Sequence, residues 1–407
     1  RKLITDGVYQ PDVLIFKDVR TGTEIISLTR ELCTELANIE RRSAWNCNGS
    51  RIGLIGNRHF IDVDGKLVGG RWAGHNYVMD GDFTGHRKLM VKCDGKFTYL
   101  YGKFNIWDRK DPDVLYYAVK DTLWKVRLGR GYRDAVGEVL YRFPNDRRKI
   151  LQNISDTNVL CIQDRNAKKP DDPMPNYYII DLNKDPNDLT FCRTHTLSYG
   201  GITGVPGHDP KNEYRVHGIR ISRDGKRVIW NYGSMVRVGE YVRFSVPADN
   251  LDAKPRPWTK DMDRWAQYMS HPGTGPDGTK AYFGGPSVKI PVRGGWGLWI
   301  RPADPTKPPI WTGASCPGGH VTWCGMDPEW FFANVSNHPR WKERKYLRTI
   351  LRGRADGSEI SVICYPYDRR RGGRAGYDAI PRPNQSPDAT KCWFHSSMLM
   401  PSDEYTG

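Results

Sequence analysis

Apolar and polar residues alternate along this chain in short stretches with a period of two, and Gly, Asp, Asn and Pro break each stretch after a few residues. That period is the signature of half-buried β-strands. A strand, a tight polar turn and a second apolar strand recur together. The first copy is Ser43-Ala-Trp-Asn-Cys-Asn-Gly-Ser-Arg-Ile-Gly-Leu-Ile. Leu89-Met-Val-Lys-Cys-Asp-Gly-Lys-Phe-Thr-Tyr-Leu and Ile219-Arg-Ile-Ser-Arg-Asp-Gly-Lys-Arg-Val-Ile-Trp follow it. Thr274-Gly-Pro-Asp-Gly-Thr-Lys-Ala-Tyr-Phe and Val321-Thr-Trp-Cys-Gly-Met-Asp-Pro-Glu-Trp-Phe-Phe repeat it, with weaker copies at Ile154-Ser-Asp-Thr-Asn-Val-Leu and Met400-Pro-Ser-Asp. Asp-Gly between apolar runs marks a hairpin, because Gly supplies the positive φ that the turn needs.

The turns fall at 48, 94, 156, 224, 277, 327 and 402, each interval being long enough for a four-stranded unit. Seven such turns predict an all-β chain, a seven-bladed β-propeller formed as a single domain over residues 1–407. The leading strands Asp12-Val-Leu-Ile-Phe and Glu24-Ile-Ile-Ser-Leu are expected to close the ring against the last blade. An irregular β-sandwich with long insertions is the alternative. Helical periodicity is scarce, its clearest stretch being Ser27–Ile39.

Composition agrees with this picture: 42 Gly, 28 Pro, 14 Trp and 21 Tyr in 407 residues favour turns and strands. No apolar run approaches the roughly 20 residues of a membrane-spanning helix, so no membrane partner is expected. The formal charge of +16 attracts polyanions. Zinc-finger spacing, RNA-recognition signatures and a basic helix are absent, so the expected polyanion is an acidic polysaccharide and not nucleic acid. Nine Cys are scattered without a CxxC pair, which argues against a disulfide scaffold and leaves at least one thiol free. Four glycosylation sequons, at Asn48, Asn153, Asn334 and Asn384, would matter only in a eukaryotic secretory host.

The histidines follow the repeat. His217, His320 and His395 each precede their turn by seven residues, His271 by six and His86 by eight. In a propeller that stretch is the innermost strand or the loop leading into it, so these imidazoles are candidates for one site. Taken singly, each is an ordinary structural histidine. A second constellation is Tyr199-Gly-Gly-Ile-Thr-Gly followed by Asn212-Glu-Tyr-Arg-Val-His-Gly, which sets Tyr199 sixteen residues before Arg215. Tyr, Arg and His around a basic pocket suit β-elimination on a uronate. Abstraction of the C5 proton makes an enolate-like carboxylate, which a guanidinium fork can neutralise. A His or Tyr takes that proton and a Tyr or His protonates the leaving oxygen. His217, Arg220, Tyr268 and Arg87 are candidate substrate contacts.

On these residues the chain resembles the seven-bladed β-propeller polysaccharide lyases, particularly the ulvan lyases, with oligogalacturonate lyases and a fungal rhamnose–glucuronate lyase more distant. The resemblance implies Tyr199 as acid/base, Arg215 as carboxylate neutraliser, and a catalytic His from an early blade. The last matches either His75 in Gly74-His-Asn-Tyr or His86 in Gly85-His-Arg-Lys. Relatives hold an axial metal through histidines, sometimes with a Cys, which here implies His271, His320, His395 and Cys324 around a structural zinc. His320 and Cys324 are four residues apart, about 13 Å on an extended strand, so both reach one ion only if the chain bends between them. An acidic polysaccharide substrate argues for a secreted or periplasmic protein, a monomer is expected, and the opening at Arg1 without an initiator Met leads to the expectation that a targeting peptide has been removed.

Two rival classes stand beside this one. A non-catalytic propeller would bind a polyanion without the Tyr, Arg and His trio. A propeller glycoside hydrolase needs two carboxylates about 5–9 Å apart, for which Asp80, Asp82 and Asp108 are candidates outside the repeat register.

Overall fold

The computed structural model describes residues 14–27, 35–36, 43–56, 60–61, 67–68, 75–82, 87–88, 90–93, 96–99, 105–129, 135–164, 175–196, 216–232, 243–253, 256–257, 270–284, 295–304, 306–316, 318–335, 345–366, 381–394 and 396. Among them there is no helix, and the described part of Ser27–Ile39 is extended. Within that stretch Glu35 and Leu36 pair with Gly56 and Ile55 as a short strand, and residues 28–34 and 37–39 lie outside the described residues.

The chain opens with a hairpin, β1 (Leu14–Lys17) and β2 (Glu24–Ser27). The first sheet is β3 (Glu35–Leu36), β4 (Arg51–Gly56), β7 (His75–Asp80) and β8 (Arg87–Lys88), with a small hairpin, β5 (Phe60–Ile61) and β6 (Leu67–Val68), between β4 and β7. The second sheet has six strands in the order β10-β9-β14-β13-β12-β11. These are β9 (Met90–Cys93), β10 (Lys96–Tyr99), β11 (Asn105–Trp107), β12 (Val114–Val119), β13 (Thr122–Arg127) and β14 (Ala135–Arg142).

Four meanders of four antiparallel strands follow. The third sheet is β15 (Lys149–Ile154), β16 (Val159–Asp164), β17 (Asn176–Asp181) and β18 (Cys192–Thr196). The fourth is β19 (Val216–Ile221), β20 (Arg227–Tyr232), β21 (Arg243–Pro247) and β22 (Arg256–Pro257). The fifth is β23 (Ser270–Thr274), β24 (Lys280–Gly284), β25 (Gly297–Arg301) and β26 (Ile310–Ser315). The sixth is β27 (Gly319–Thr322), β28 (Trp330–Val335), β29 (Ile350–Arg354) and β30 (Ile360–Cys364). A last hairpin joins β31 (Asn384–Gln385) to β32 (Cys392–Trp393).

The first strand of one sheet packs on the first strands of the one before: β15 on β11 and β12, β19 on β15 and β16, β27 on β23 and β24. First strands are therefore innermost, and the sheets repeat around them as the blades of a β-propeller. The apolar core lies between blades. Leu151, Leu160 and Tyr178 of the third sheet meet Ile106, Val114 and Tyr116 of the second, while Cys161, Tyr177 and Ile179 meet Ile219, Val228 and Trp230 of the fourth. Ile25 of β2 packs in one cluster with Phe332, Ala389, Cys392 and Phe394, so the first and last hairpins share a core.

The expected turns at 48, 156, 224, 277 and 327 all lie in the loop from an innermost strand or bridge to the second strand. Gly225 and Gly278 have φ of +75° and +92°, as Asp-Gly turns require. The turn at 94 is a correction. Its strands β9 and β10 sit outside the meander, β9 pairing in parallel with the outer strand β14, and the equivalent turn of that blade is Asp108–Val114. Asp94-Gly95 has the right hairpin chemistry, but local chemistry does not say which strand the hairpin joins. The turn at 402 lies outside the described residues, and the last described hairpin turns at Ser386–Lys391 instead.

In β27, a Cβ on Gly319 would lie 1.7 Å from the carbonyl oxygen of Asn334 in the partner strand. Gly319→Ala is expected to lower stability by about 1–3 kcal/mol, as overpacking does, measured by urea unfolding. An unchanged midpoint would mean that the β27–β28 pairing relaxes freely.

Candidate functional site

The inner strands define two ends. At the hairpin end each turns into its second strand; at the crossover end the chain arrives from the preceding blade. The two ends differ in chemistry.

The hairpin end is closed by a buried charge network. Asp156 lies in the turn after β15, where Asn158 adopts φ of +63°. Its carboxylate accepts Arg223 Nε at 2.8 Å and Nη2 at 2.9 Å, and Arg109 Nη2 at 2.6 Å. Other donors of the two arginines reach backbone carbonyls, while Arg109 Nε is buried without a hydrogen-bond partner. Arg223 Nη1 bonds Thr274 and Trp323, Arg223 Nη2 bonds Gly325, and Arg109 Nη1 bonds Cys324. The side chains are 8% (Arg109), 12% (Arg223) and 21% (Asp156) exposed. Burial pushes the Asp156 carboxyl up, but Arg223 and then Arg109 outweigh it and hold the carboxyl below its ordinary value. Burial pulls Arg223 down, and Asp156 opposes it; Arg keeps its proton in proteins, so the cluster is ionic.

Asp108, in the neighbouring turn, accepts the Tyr116 hydroxyl at 2.6 Å, Asn158 Nδ2 at 2.9 Å and the amides of Lys110 and Asp111. Its oxygens are committed to structure at the hairpin end, which removes it as a hydrolase carboxylate. Asp80 ends β7 at the same end, opposite Arg51.

The crossover end carries irregular backbone. Three consecutive innermost strands are bulged: β19 at His217 and β23 at His271 and Pro272 toward this end, and β15 at Gln152, two residues before its hairpin-end terminus Ile154. A bulge adds a residue to one strand and re-aims side chains locally, and bulges are frequent beside active sites. Counting back from a turn, as done on the sequence, misses such an insertion, since each one shifts the register. A doubled polar or Pro-containing position in an apolar strand is the only signal the sequence offers.

The candidate residues fall as follows. His271 and His320 stand on the adjacent inner strands β23 and β27, and Gly273 lies against Val321, Thr322 and Trp323, so the two histidines are at one level. His320 is 5% exposed and its amide donates to Asn334 Oδ1 at 3.1 Å. Cys324 lies beyond β27 in the hairpin-end turn, where its Sγ accepts the Thr322 hydroxyl at 3.1 Å and its carbonyl bonds Arg109. The bend that would bring Cys324 back to His320 is not made; the thiol belongs to the closed end. His75 opens β7 at the crossover end, opposite Gly56. Arg87 opens β8, the outermost strand of its sheet, and Arg220 is half-buried in β19 opposite Ile229. His86, Tyr199, Arg215, Tyr268 and His395 lie outside the described residues. Among the described residues, no three His, Cys, Asp or Glu are grouped as metal ligands.

Cys47, Cys192, Cys324, Cys364 and Cys392 are free thiols. Burial pushes the Cys364 thiol up to about 12, Asp18 adding to it, and raises Cys192 and Cys392. These three are protonated core residues at neutral pH.

No family model matches the chain, and no curated protein matches it. Among solved structures it is similar to an oligogalacturonate lyase from Vibrio parahaemolyticus, with a TM-score of 0.63 at 14% identity over 97% of this chain and 95% of that one. It is also similar to an oligogalacturonate lyase in complex with manganese, with a TM-score of 0.61 at 13% identity over 96% and 94% of the two chains. At these identities the likeness is one of fold.

Asp156→Asn strands two buried guanidiniums, and breaking such a network is expected to cost about 3–5 kcal/mol. The depressed carboxyl also sets a pH dependence. Its stabilisation is present above the ordinary value of 3.8 and is lost as pH falls below it through the folded value. Urea unfolding from pH 7 down to pH about 2 should show that loss in the wild type and a shallower one in Asp156→Asn. Equal slopes would remove Asp156 as the source.

Proposed function

We propose that this protein is a polysaccharide lyase that cleaves a uronate-containing polysaccharide by β-elimination at the crossover end of the propeller. The observation that carries the reading is the full-length likeness to oligogalacturonate lyases. The row of bulged inner strands, with His217 and His271 in the bulges, supports it. Arg215 would neutralise the substrate carboxylate. Tyr199 would act as acid/base, with His75 preferred over His86 because its strand begins at the crossover end. His217, Arg220 and Tyr268 would position the sugar; Arg87, on an outermost strand, is the weakest of the substrate contacts. The blades would number seven, the seventh built from β31–β32 and closed by β1–β2 within one domain. A secreted or periplasmic monomer fits a polymeric substrate, and ulvan and polygalacturonate are the first substrates to test.

A divalent metal fits His271 and His320, which stand level on adjacent strands; His395 would complete the set, and Cys324 does not belong to it. When bound, the ion would supply positive charge beside the carboxylate that the arginine also faces. Manganese in one of the similar lyases makes it a candidate beside zinc. A polyanion-binding propeller without catalysis is the second reading, favoured by the +16 charge.

Incubation with ulvan or polygalacturonate should generate the ultraviolet absorbance of an unsaturated uronate, which hydrolysis does not. Arg215→Ala should reduce turnover by about 10²–10³ with unchanged thermal stability. Activity within a few-fold of wild type would transfer the role to another cation. Metal analysis after dialysis should find about one divalent ion per chain, lost in His320→Ala. Sub-stoichiometric metal in the wild type, or full retention in His320→Ala, would reject the site.

A further inference from the structure

Between β14 and β15 the chain crosses from the second sheet to the third at the crossover end, and a buried lysine fixes that connector. Lys149 Nζ donates to the Asn145 carbonyl at 3.1 Å, Asn145 Oδ1 at 2.6 Å and the Arg147 carbonyl at 2.8 Å. It pairs with Asp164 Oδ1 at 2.9 Å, and both side chains are 0% exposed. The rings of Phe143 and Tyr178 lie 5.0 and 5.5 Å from the same nitrogen. Asn145 locks the loop further: its Oδ1 accepts the Arg147 amide at 3.1 Å, and its Nδ2 reaches Asp164 Oδ2 and the Tyr178 hydroxyl.

A buried ammonium whose protons all bond within the molecule has none left for substrate. What it determines is the path of residues 145–148, and the side chains which that path carries at the surface are charged. Asp146 and Arg148 are exposed and Arg147 is half-buried, so the loop presents two guanidiniums against one carboxylate. The loop leads straight into β15, the first of the three bulged inner strands. Arginines on a loop held this way lose little backbone freedom on binding an anion, and each offers a fork that fits a carboxylate or sulfate.

We propose that Arg147 and Arg148 form an anion-binding subsite for the carboxylate or sulfate groups of an acidic polysaccharide lying across the crossover end. Lys149 is the positioning residue of this subsite. The subsite rests on the polyuronide reading above and deepens it.

The test is retention of the full chain in gels containing polygalacturonate or a sulfated polyuronide, with dextran as the uncharged control. Arg147→Gln/Arg148→Gln is compared with Lys226→Gln/Lys307→Gln, which removes the same charge from exposed residues at the hairpin end. Arg148→Gln alone guards against any folding defect of the double variant. The arginine variant should bind at least about tenfold more weakly, the loss expected for one or two charge-assisted contacts, while the lysine variant stays near wild type. Loss on the sulfated polymer alone assigns the subsite to sulfate, and loss on both assigns it to carboxylate. Equal weakening by the two double variants overturns the subsite and leaves the lyase reading standing. Failure of the wild type to be retained by either polymer overturns both.

Discussion

Asp156 is where the propeller is tied together. A four-stranded blade has no closed core of its own, and its two faces are buried only by its neighbours. Stability therefore depends on keeping the inner strands at a common centre. One carboxylate from the third blade holds an arginine from the second and an arginine from the fourth. Those arginines in turn hold carbonyls of the fifth and sixth. Shorter links continue the circuit: the Met326 and Asp327 amides bond the Pro387 carbonyl, the Ala44 amide bonds Asn384 Oδ1, and Trp107 Nε1 bonds the Ala44 carbonyl. A hydrophobic centre of the same size would hold the blades without direction. The guanidinium forks fix which carbonyl lies where, so that specificity of arrangement is gained where net stability is hard to gain.

That network was invisible in the sequence for a definite reason. Asp156 was legible as a turn residue, and so were Asp224-Gly225 and Asp277-Gly278, because turn chemistry is local. Arg109 and Arg223 carry no such local signal, since nothing in a linear sequence says that two residues more than a hundred positions apart share one carboxylate. The same limit explains Asp94-Gly95. It is a sound hairpin, but whether a hairpin begins a blade or is added beyond its outer strand depends on pairing between distant strands. The fold class came from repetition, which tolerates one misplaced copy.

The site was legible only in part, and the bulges show why. His217, His271 and His320 were expected on inner strands, and their backbones lie there. Their similar distances from the turn, seven residues for His217 and His320 and six for His271, suggested one site, yet His217 occupies a bulge in β19 and His271 one in β23, whereas β27 pairs regularly through His320. Equal spacing in sequence is therefore unequal register in the sheet. Cys324, set beside the histidines by the resemblance, lies past the end of β27 in the turn, where its carbonyl serves Arg109.

The two ends of the inner strands divide the demands on the fold. At the hairpin end Asp156 and Asp108 are filled by protein donors. Toward the crossover end the pairing is interrupted in β19 and β23, and each interruption forfeits ladder hydrogen bonds that the sheet would otherwise make. Such irregularity persists only where the rest of the structure over-determines it, and it concentrates where function needs a particular placement. The buried Lys149–Asp164 pair fits the same logic. It ties the connector into the bulged strand at the crossover end, where disorder of that loop would otherwise spread. Rigid closure at one end is thus compatible with local departures at the other, and it is with those departures that the proposed binding chemistry is placed.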